Sequence, residues 1–141
     1  MEIVPFKPEH LAKIRLQGAQ EYLTSYIDPA SVSALQVGSA FSAIEGDLVL
    51  GSAGVISIWH GRGIAWAWLS KDCGKYFVRI HRAVKRFLDM SDINRIEATV
   101  DCDFHAGHEW IHMLGFELEA ERMRGYRPDG GDMSLYARVK K

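Results

Sequence analysis

The chain has 141 residues, 48% of them hydrophobic, and a formal net charge of −1. That is enough apolar material for a single compact domain over residues 1–141, and the near-neutral balance removes any whole-molecule pull toward nucleic acid or an anionic membrane. Two cysteines, Cys73 and Cys102, lack paired metal-type spacing, and the longest apolar stretches, such as Ile64 to Leu69, fall far short of a membrane span. The amino terminus Met1-Glu2-Ile3-Val4-Pro5 has no basic region followed by an apolar run, which fits a reduced, cytoplasmic protein.

Glu2 to Phe6 reads as a first strand. Pro8 then stands at a helix-start position ahead of Leu11, Ile14 and Leu16, whose spacing is partly helical. Between Tyr22 and Val37 the pattern predicts a second short helix, entered at Asp28-Pro29, with Val32, Leu35 and Gln36 on one turn. Ala40 to Ile44 and Leu48 to Ile58 flank the turn cluster Glu45-Gly46-Asp47, a hairpin signal. A third strand, Ile64 to Leu69, follows His60-Gly61-Arg62-Gly63. Trp66 and Trp68 alternate along it and so share one sheet face, where core packing is their expected role.

Cys73 to Met90 is the clearest helix, because Phe77, Ile80, Val84 and Phe87 repeat at helical spacing with Leu88 beside them. Lys75, Arg79, Arg82 and Arg86 form a basic stripe opposite that apolar face, read as solvated surface with an acidic partner or phosphate as the alternative. Arg95 to Asp101 alternates Ile96, Ala98 and Val100 against Glu97, Thr99 and Asp101, a half-buried strand. Asp103 is the expected cap of a helix ending in Met113-Leu114-Gly115-Phe116, with Gly115 in the left-handed position after the last turn. Phe116 to Met123, the turn Pro128-Asp129-Gly130-Gly131, and Met133 to Val139 complete a closing hairpin. The order is β, α, α, β, β, β, α, β, α, β, β. On the last helix His105, His108 and His112 share a face. A polar, partly packed face is the plain reading; zinc and a catalytic base are the others, and because three ligands from one helix rarely converge on one ion, no metal is expected. Cys102 reads as a small hydrophobe, with an acid or nucleophile as its alternative.

The helix ending in Leu114-Gly115-Phe116, the strand after it and the final Ser134-Leu135-Tyr136-Ala137-Arg138-Val139 resemble the end of a GNAT acyltransferase, and the element order matches that family across nearly the whole chain. The resemblance implies an α+β fold in α/β/α layers. Its mixed, mostly antiparallel sheet has six to seven strands with about four helices, splayed at the two central strands. It implies acetyl-coenzyme A as cosubstrate, its pyrophosphate held by the amides of a loop reading Gln or Arg, any two, Gly, any one, Gly or Ala. Lys71-Asp72-Cys73-Gly74-Lys75-Tyr76 matches that loop at Gly74 and, by charge, at Lys71; Asp72 adds an anion and Tyr76 puts a ring where the family has almost no side chain. The pantetheine arm would run in the splay, against backbone groups of Trp68, Leu69 and Ser70.

On the last helix the family's Asn and its general-acid Tyr fall, by the same resemblance, on Phe104 and Ile111, and Ile111 has no proton to give. Asp101 and His105 bracket the strand-to-helix turn as candidates for a base, and Tyr22, Tyr26, Tyr126 and Arg127 are candidate rim residues around the acceptor. The implied activity is acetyl transfer from acetyl-coenzyme A to a primary amine, on a small molecule or a protein. The rival is a catalytically degenerate interaction protein. Arg82-Ala83-Val84-Lys85-Arg86-Phe87-Leu88 with Ala106-Gly107-His108-Glu109-Trp110 is similar to short phage- and prophage-encoded GNAT-like proteins, some of them virion-associated, which would make a phage structural or host protein, or a second copy of the chain, the partner. A nucleic-acid module is disfavoured by the balanced charge and the absence of a binding motif.

Overall fold

The computed structural model describes residues 1–25, 29–36 and 38–141, so Tyr26, Asp28 and Val37 lie outside the described residues. In chain order the elements are β1 (Glu2–Pro5), α1 (Pro8–Lys13), a 3-10 helix (Gly18–Ser25), α2 (Pro29–Ala34), β2 (Ser39–Glu45), β3 (Leu48–Trp59), β4 (Arg62–Leu69), a 3-10 turn (Gly74–Tyr76), α3 (Phe77–Met90), β5 (Arg95–Asp101), α4 (His105–Met113), β6 (Glu117–Met123) and β7 (Met133–Val139). The strands form one seven-stranded sheet in the order β1-β2-β3-β4-β5-β7-β6. Every neighbouring pair is antiparallel except β4 and β5.

Helices cover both sheet faces, because β2, β3, β5 and β7 bury residues on both. On one side Phe6, Leu11, Ile14, Leu16, Val32 and Val49 cluster with Trp66 and Trp68, and the Trp66 ring meets Phe6 edge-on at 5.2 Å. The two tryptophans therefore pack the core, as their alternation predicts. On the other side Ile96, Ala98 and Val100 of β5 meet Leu88 of α3 and Ile111 and Leu114 of α4.

Local chemistry explains the end of α4. The Phe116 amide donates to the Ile111 carbonyl (3.2 Å), the Gly115 amide donates to His112 (3.0 Å), and Gly115 has φ +92°. This paired closure needs a left-handed residue after the helix and an apolar one next, and Phe116 is accordingly 2% exposed against Ile111 and Leu114. At the other end the expectation of an Asp103 cap is corrected. The Asp101 carboxylate takes the Asp103 amide (2.9 Å), and α4 starts beyond Phe104, which has no side-chain cap. The strand's last carboxylate reaches the turn amide first, forming a local side-chain turn. The long helix begins later than the expected Cys73, at Phe77 where its apolar repeat starts, because Gly74–Tyr76 is wound as a tighter turn with the Tyr76 amide on the Cys73 carbonyl (2.9 Å).

The parallel contact between β4 and β5 is short: Arg62 faces Arg95, Gly63 faces Ile96, Ile64 faces Glu97, and pairing stops there. Two arginines in register would repel. Glu97 removes that repulsion by accepting from Arg62 Nη2 (3.0 Å) and Arg95 Nε (3.0 Å), while Arg95 also reaches Glu119 on β6 (3.0 Å). The Arg62 guanidinium first, and Arg95 after it, hold the Glu97 carboxyl at about 2, below its ordinary 4.5. A depressed carboxyl stabilises the fold in full above its unfolded value and ceases to as pH falls through the folded one. Glu97→Gln is therefore expected to flatten the acid limb of stability between pH 4.5 and about 2, and to cost roughly 2 kcal/mol at neutral pH. Urea unfolding across that range checks both.

Candidate active site

Beyond Ile64 and Glu97 the two central strands part, and a cleft of about 450 Å³ opens beside them, bounded by Ala65, Ala67 and Leu69 of β4, Thr99 and Asp101 of β5, Phe104 just before α4, and Ile111 of α4. Its size lies within the range of small-ligand sites. Strand alternation decides which backbone groups look into it. The Ser70 amide donates to the Leu50 carbonyl (2.8 Å) and Trp68 stands opposite Ser52, so both turn their backbone toward β3. Leu69, Ala67 and Ala65 turn the other way. Of the three residues expected to offer backbone partners in the splay, Leu69 turns its backbone groups toward the gap, and Trp68 and Ser70 turn theirs toward β3. The Trp66 indole N–H, also at the cleft, is buried without a hydrogen-bond partner among the described residues.

At the end of β4 the chain turns into α3 through the matched loop. The Ser70 hydroxyl accepts from the Asp72 amide (3.0 Å), the Ser70 carbonyl from the Cys73 amide (3.2 Å), and Lys71 donates its amide to the Arg15 carbonyl (2.8 Å). The described hydrogen bonds leave the amides of Gly74 and Lys75 as the loop's donors for an anion. A Cβ on Gly74 would meet nothing within 4 Å, so the loop is open there. Asp72 is offset by Arg15 at 3.2 Å. Tyr76 packs against the buried cluster that holds Leu50, Leu69, Cys73 and Ile80, and the Lys75 ammonium sits 5.2 Å over its ring. Burial pushes the Cys73 thiol up, so it is a packed thiol rather than a reactive one. Lys75 in the 3-10 turn and Arg79, Arg82 and Arg86 along α3 are exposed.

Phe104 and Ile111 both line the cleft, and Ile111 is 8% exposed within the core. Neither offers a proton. The three helix histidines separate: His105 is exposed and outside the cleft lining, His112 meets the Tyr136 ring edge-on at 5.3 Å, and His108 lies between the Tyr136 hydroxyl (2.6 Å) and the Cys102 carbonyl (3.1 Å). Burial raises the Tyr136 phenol. The His108–Tyr136 bond ties the first turns of α4 to β7, a structural role that the helical spacing of the histidines did not reveal; the alternation that buries Tyr136 on β7 was its only signal. Cys102 lies near the Ser134 hydroxyl and the Glu121 carbonyl, each at 3.6 Å. Among the described residues no group of three or more His, Cys, Asp or Glu is placed to hold a metal ion, and no helix is long and apolar enough to cross a membrane.

The candidate rim is better organised than the sequence suggests. Arg127, from the β6–β7 turn, is ion-paired with both Asp101 and Asp129, and its guanidinium lies 4.3 Å over the Tyr22 ring. Asp101 is thus joined to two rim candidates rather than to His105. Burial, against the opposing pull of Arg127, pushes the Tyr22 phenol up. Tyr126 is 57% exposed and takes no part in this cluster. Gln17 and Gln20, which the sequence did not single out, also line the cleft. Removing Arg127 would strand the Asp101 carboxylate, whose side chain is only 14% exposed. Arg127→Met should destabilise by roughly 1–2 kcal/mol, and adding Asp101→Asn should cost less than the sum of the singles, by about 1 kcal/mol of coupling in a double-mutant cycle followed by urea unfolding.

No family model matches the chain, and no curated protein matches its sequence. Its structure, by contrast, superposes on acetyltransferases along nearly its whole length. Ard1 from Thermoplasma volcanium matches at TM-score 0.79 and 16% identity over 99% of this chain and 97% of that one. A GNAT-family acetyltransferase from Bacillus anthracis matches at 0.66 and 15%, over 97% and 93%. A spermidine N-acetyltransferase chimera from Vibrio cholerae matches at 0.67 and 14%, over 99% and 96%. At these identities the likeness is one of fold, and the fold is the GNAT fold. The comparisons lend no support to the likeness to phage-encoded proteins.

Proposed function

We propose that this chain, which has the fold of the GNAT acetyltransferases, is an acetyl-coenzyme A-dependent N-acyltransferase acting on a primary amine. The observation that carries the reading is the early end of β4–β5 pairing, which leaves a ligand-sized cleft directly beside the open loop at Gly74. The donor set suits the molecule: amides of Gly74 and Lys75 for its pyrophosphate, and the Lys71 and Lys75 ammoniums for its charge. Acetyl-coenzyme A supplies the activated acyl group as a thioester.

The residues then divide the work. The Leu69 amide faces the gap and is the central-strand donor for the oxygen that gains charge when the amine attacks. Asp101 at the end of β5, flanked by Arg127 and Tyr22, attracts the acceptor's ammonium and offers a carboxylate for its proton. The new C–N bond forms as the C–S bond breaks, and the thiolate leaves. Ile111 has no proton for it, so water protonates the thiolate, at a rate expected to be lower by on the order of a hundredfold than with a positioned acid. The cytoplasmic setting and the choice between small-molecule and protein acceptors belong to this reading. The rival, a degenerate scaffold that binds a host, virion or identical partner through the cleft, draws on the same apolar pair, Phe104 and Ile111.

Calorimetry with acetyl-coenzyme A separates the two. Micromolar binding that disappears in Gly74→Glu is expected. A Cβ added at Gly74 meets nothing within 4 Å, so the glutamate is expected to crowd and repel the pyrophosphate while the fold is kept, and an unchanged melting temperature checks this. No heat and no thermal shift at millimolar ligand would hand the chain to the scaffold reading.

A further inference from the structure

The splayed edge of β4 is not bare. Its cleft-facing groups are met one after another by the segment from Arg15 to Gln20. The Lys71 amide donates to the Arg15 carbonyl (2.8 Å) and the Gln17 amide to the Leu69 carbonyl (3.3 Å), the two bonds that set Leu16 opposite Ser70. The last two contacts come from a side chain. Gln20 Nε2 donates to the Ala67 carbonyl (2.8 Å), and Gln20 Oε1 accepts from the Leu69 amide (3.1 Å). A single carboxamide therefore satisfies one acceptor and one donor on the open edge, as a residue of a neighbouring strand would. Gln17, Ala19 and Gln20 are all part of the cleft lining.

We infer that Ala67 C=O and Leu69 N–H form an amide-recognition pair at the reacting centre, and that Gln20 is its built-in occupant, which must swing out before an acyl group can bind. The inference rests on the acyltransferase reading and adds to it the regulation of that site. The chemistry of the pair defines what it takes: a carbonyl oxygen on Leu69 N–H, and an N–H on the Ala67 carbonyl. A thioester supplies the first group, an attacking amine the second, and the N-acyl amide product supplies both. The Gln20 carboxamide thus presents the same two atoms as the product.

The geometry also says which part moves. The contacts of Arg15 and Gln17 with β4 are backbone to backbone, and the Gln20 amide is held by the Gln17 carbonyl (2.9 Å). The Gln20 contacts alone depend on side-chain torsions, which turn without unwinding the segment. Gln20 is consequently a gate of one side chain on a fixed support. It keeps the Leu69 donor and the Ala67 acceptor satisfied while the cleft lacks an acyl ligand, and every acyl group that enters must first break its two neutral hydrogen bonds.

Two measurements test this with Gln20→Ala and with Gln20→Asn, which keeps the amide but is one methylene too short to reach. In the free protein, amide hydrogen exchange at Leu69, followed by NMR, should be slow in the wild type and faster by about tenfold or more in both variants, with melting temperature confirming that they fold. Equal exchange overturns the occupancy. In calorimetry, acetyl-coenzyme A should bind the variants about tenfold more tightly than the wild type, whereas desulfo-coenzyme A, which has no acyl oxygen, should gain little. Unchanged or weaker acetyl-coenzyme A binding overturns the gate, and an equal gain for both ligands overturns its placement at the acyl group. If neither ligand binds wild type or variants while Leu69 exchange still responds to Gln20, the acyltransferase reading fails, the gate on an acyl ligand falls with it, and Gln20 stands as a plug of the edge.

Discussion

Glu97 sits between Arg62 and Arg95 at the end where β4 and β5 still pair. The two strands run parallel in a sheet that is otherwise antiparallel, so no hairpin joins them and α3 must cross over between them. Their contact is only three residue pairs long, and two of the paired residues carry like charges. The carboxylate converts that repulsion into a clamp. With one end clamped, the right-handed twist of the sheet carries the other ends apart, and the gap is kept open by side chains from both layers: Phe104 just before α4 and Ile111 of α4 on one side, Gln17 and Gln20 from the segment after α1 on the other.

Polarity follows from the same division. The middle of the cleft is apolar because β4 and β5 contribute alternating alanines and aliphatics there, whereas its two ends carry the charges. At one end the loop from Ser70 to Tyr76 gathers Lys71, Lys75 and the unspent amides at Gly74. At the other, Arg127 draws Asp101, Asp129 and Tyr22 into one cluster, so that the β6–β7 turn, the end of β5 and the 3-10 helix Gly18–Ser25 meet there. A ligand with an anionic head, a flexible amide-bearing arm and a reactive end fits the sequence of environments in that order.

The sequence disclosed whatever periodicity and turn chemistry encode. The apolar repeat of α3, the Leu114-Gly115-Phe116 closure and the shared face of Trp66 and Trp68 are local rules, and each has its counterpart in the structure. What it could not disclose depends on which of two local partners wins, or on contacts between distant segments. Asp103 reads as a cap until Asp101 takes its amide. Trp68, Leu69 and Ser70 are equivalent in a residue list, yet strand alternation turns only one of them into the gap. His105 and Asp101 are close in sequence, but the carboxylate's partner is Arg127, from another turn. Gln20 lies in a stretch with no periodicity, and its two bonds span nearly fifty residues of chain.

Ile111 and Gln20 bear on the same question from opposite sides of the cleft. An acyltransferase that lacks a proton donor for the departing thiolate depends on the thiolate being a good leaving group and on water reaching the sulfur. Water in turn threatens the thioester, whose hydrolysis wastes the acyl group. On that reading, the Gln20 carboxamide keeps the Leu69 amide paired rather than hydrated while no acyl group is present, and Ile111, buried in the cleft wall, leaves protonation of the thiolate to water. Under the proposed acyltransferase reading the two residues therefore act on different steps: Ile111 leaves the departing thiolate to water, and Gln20 reserves the Leu69 donor for an acyl ligand.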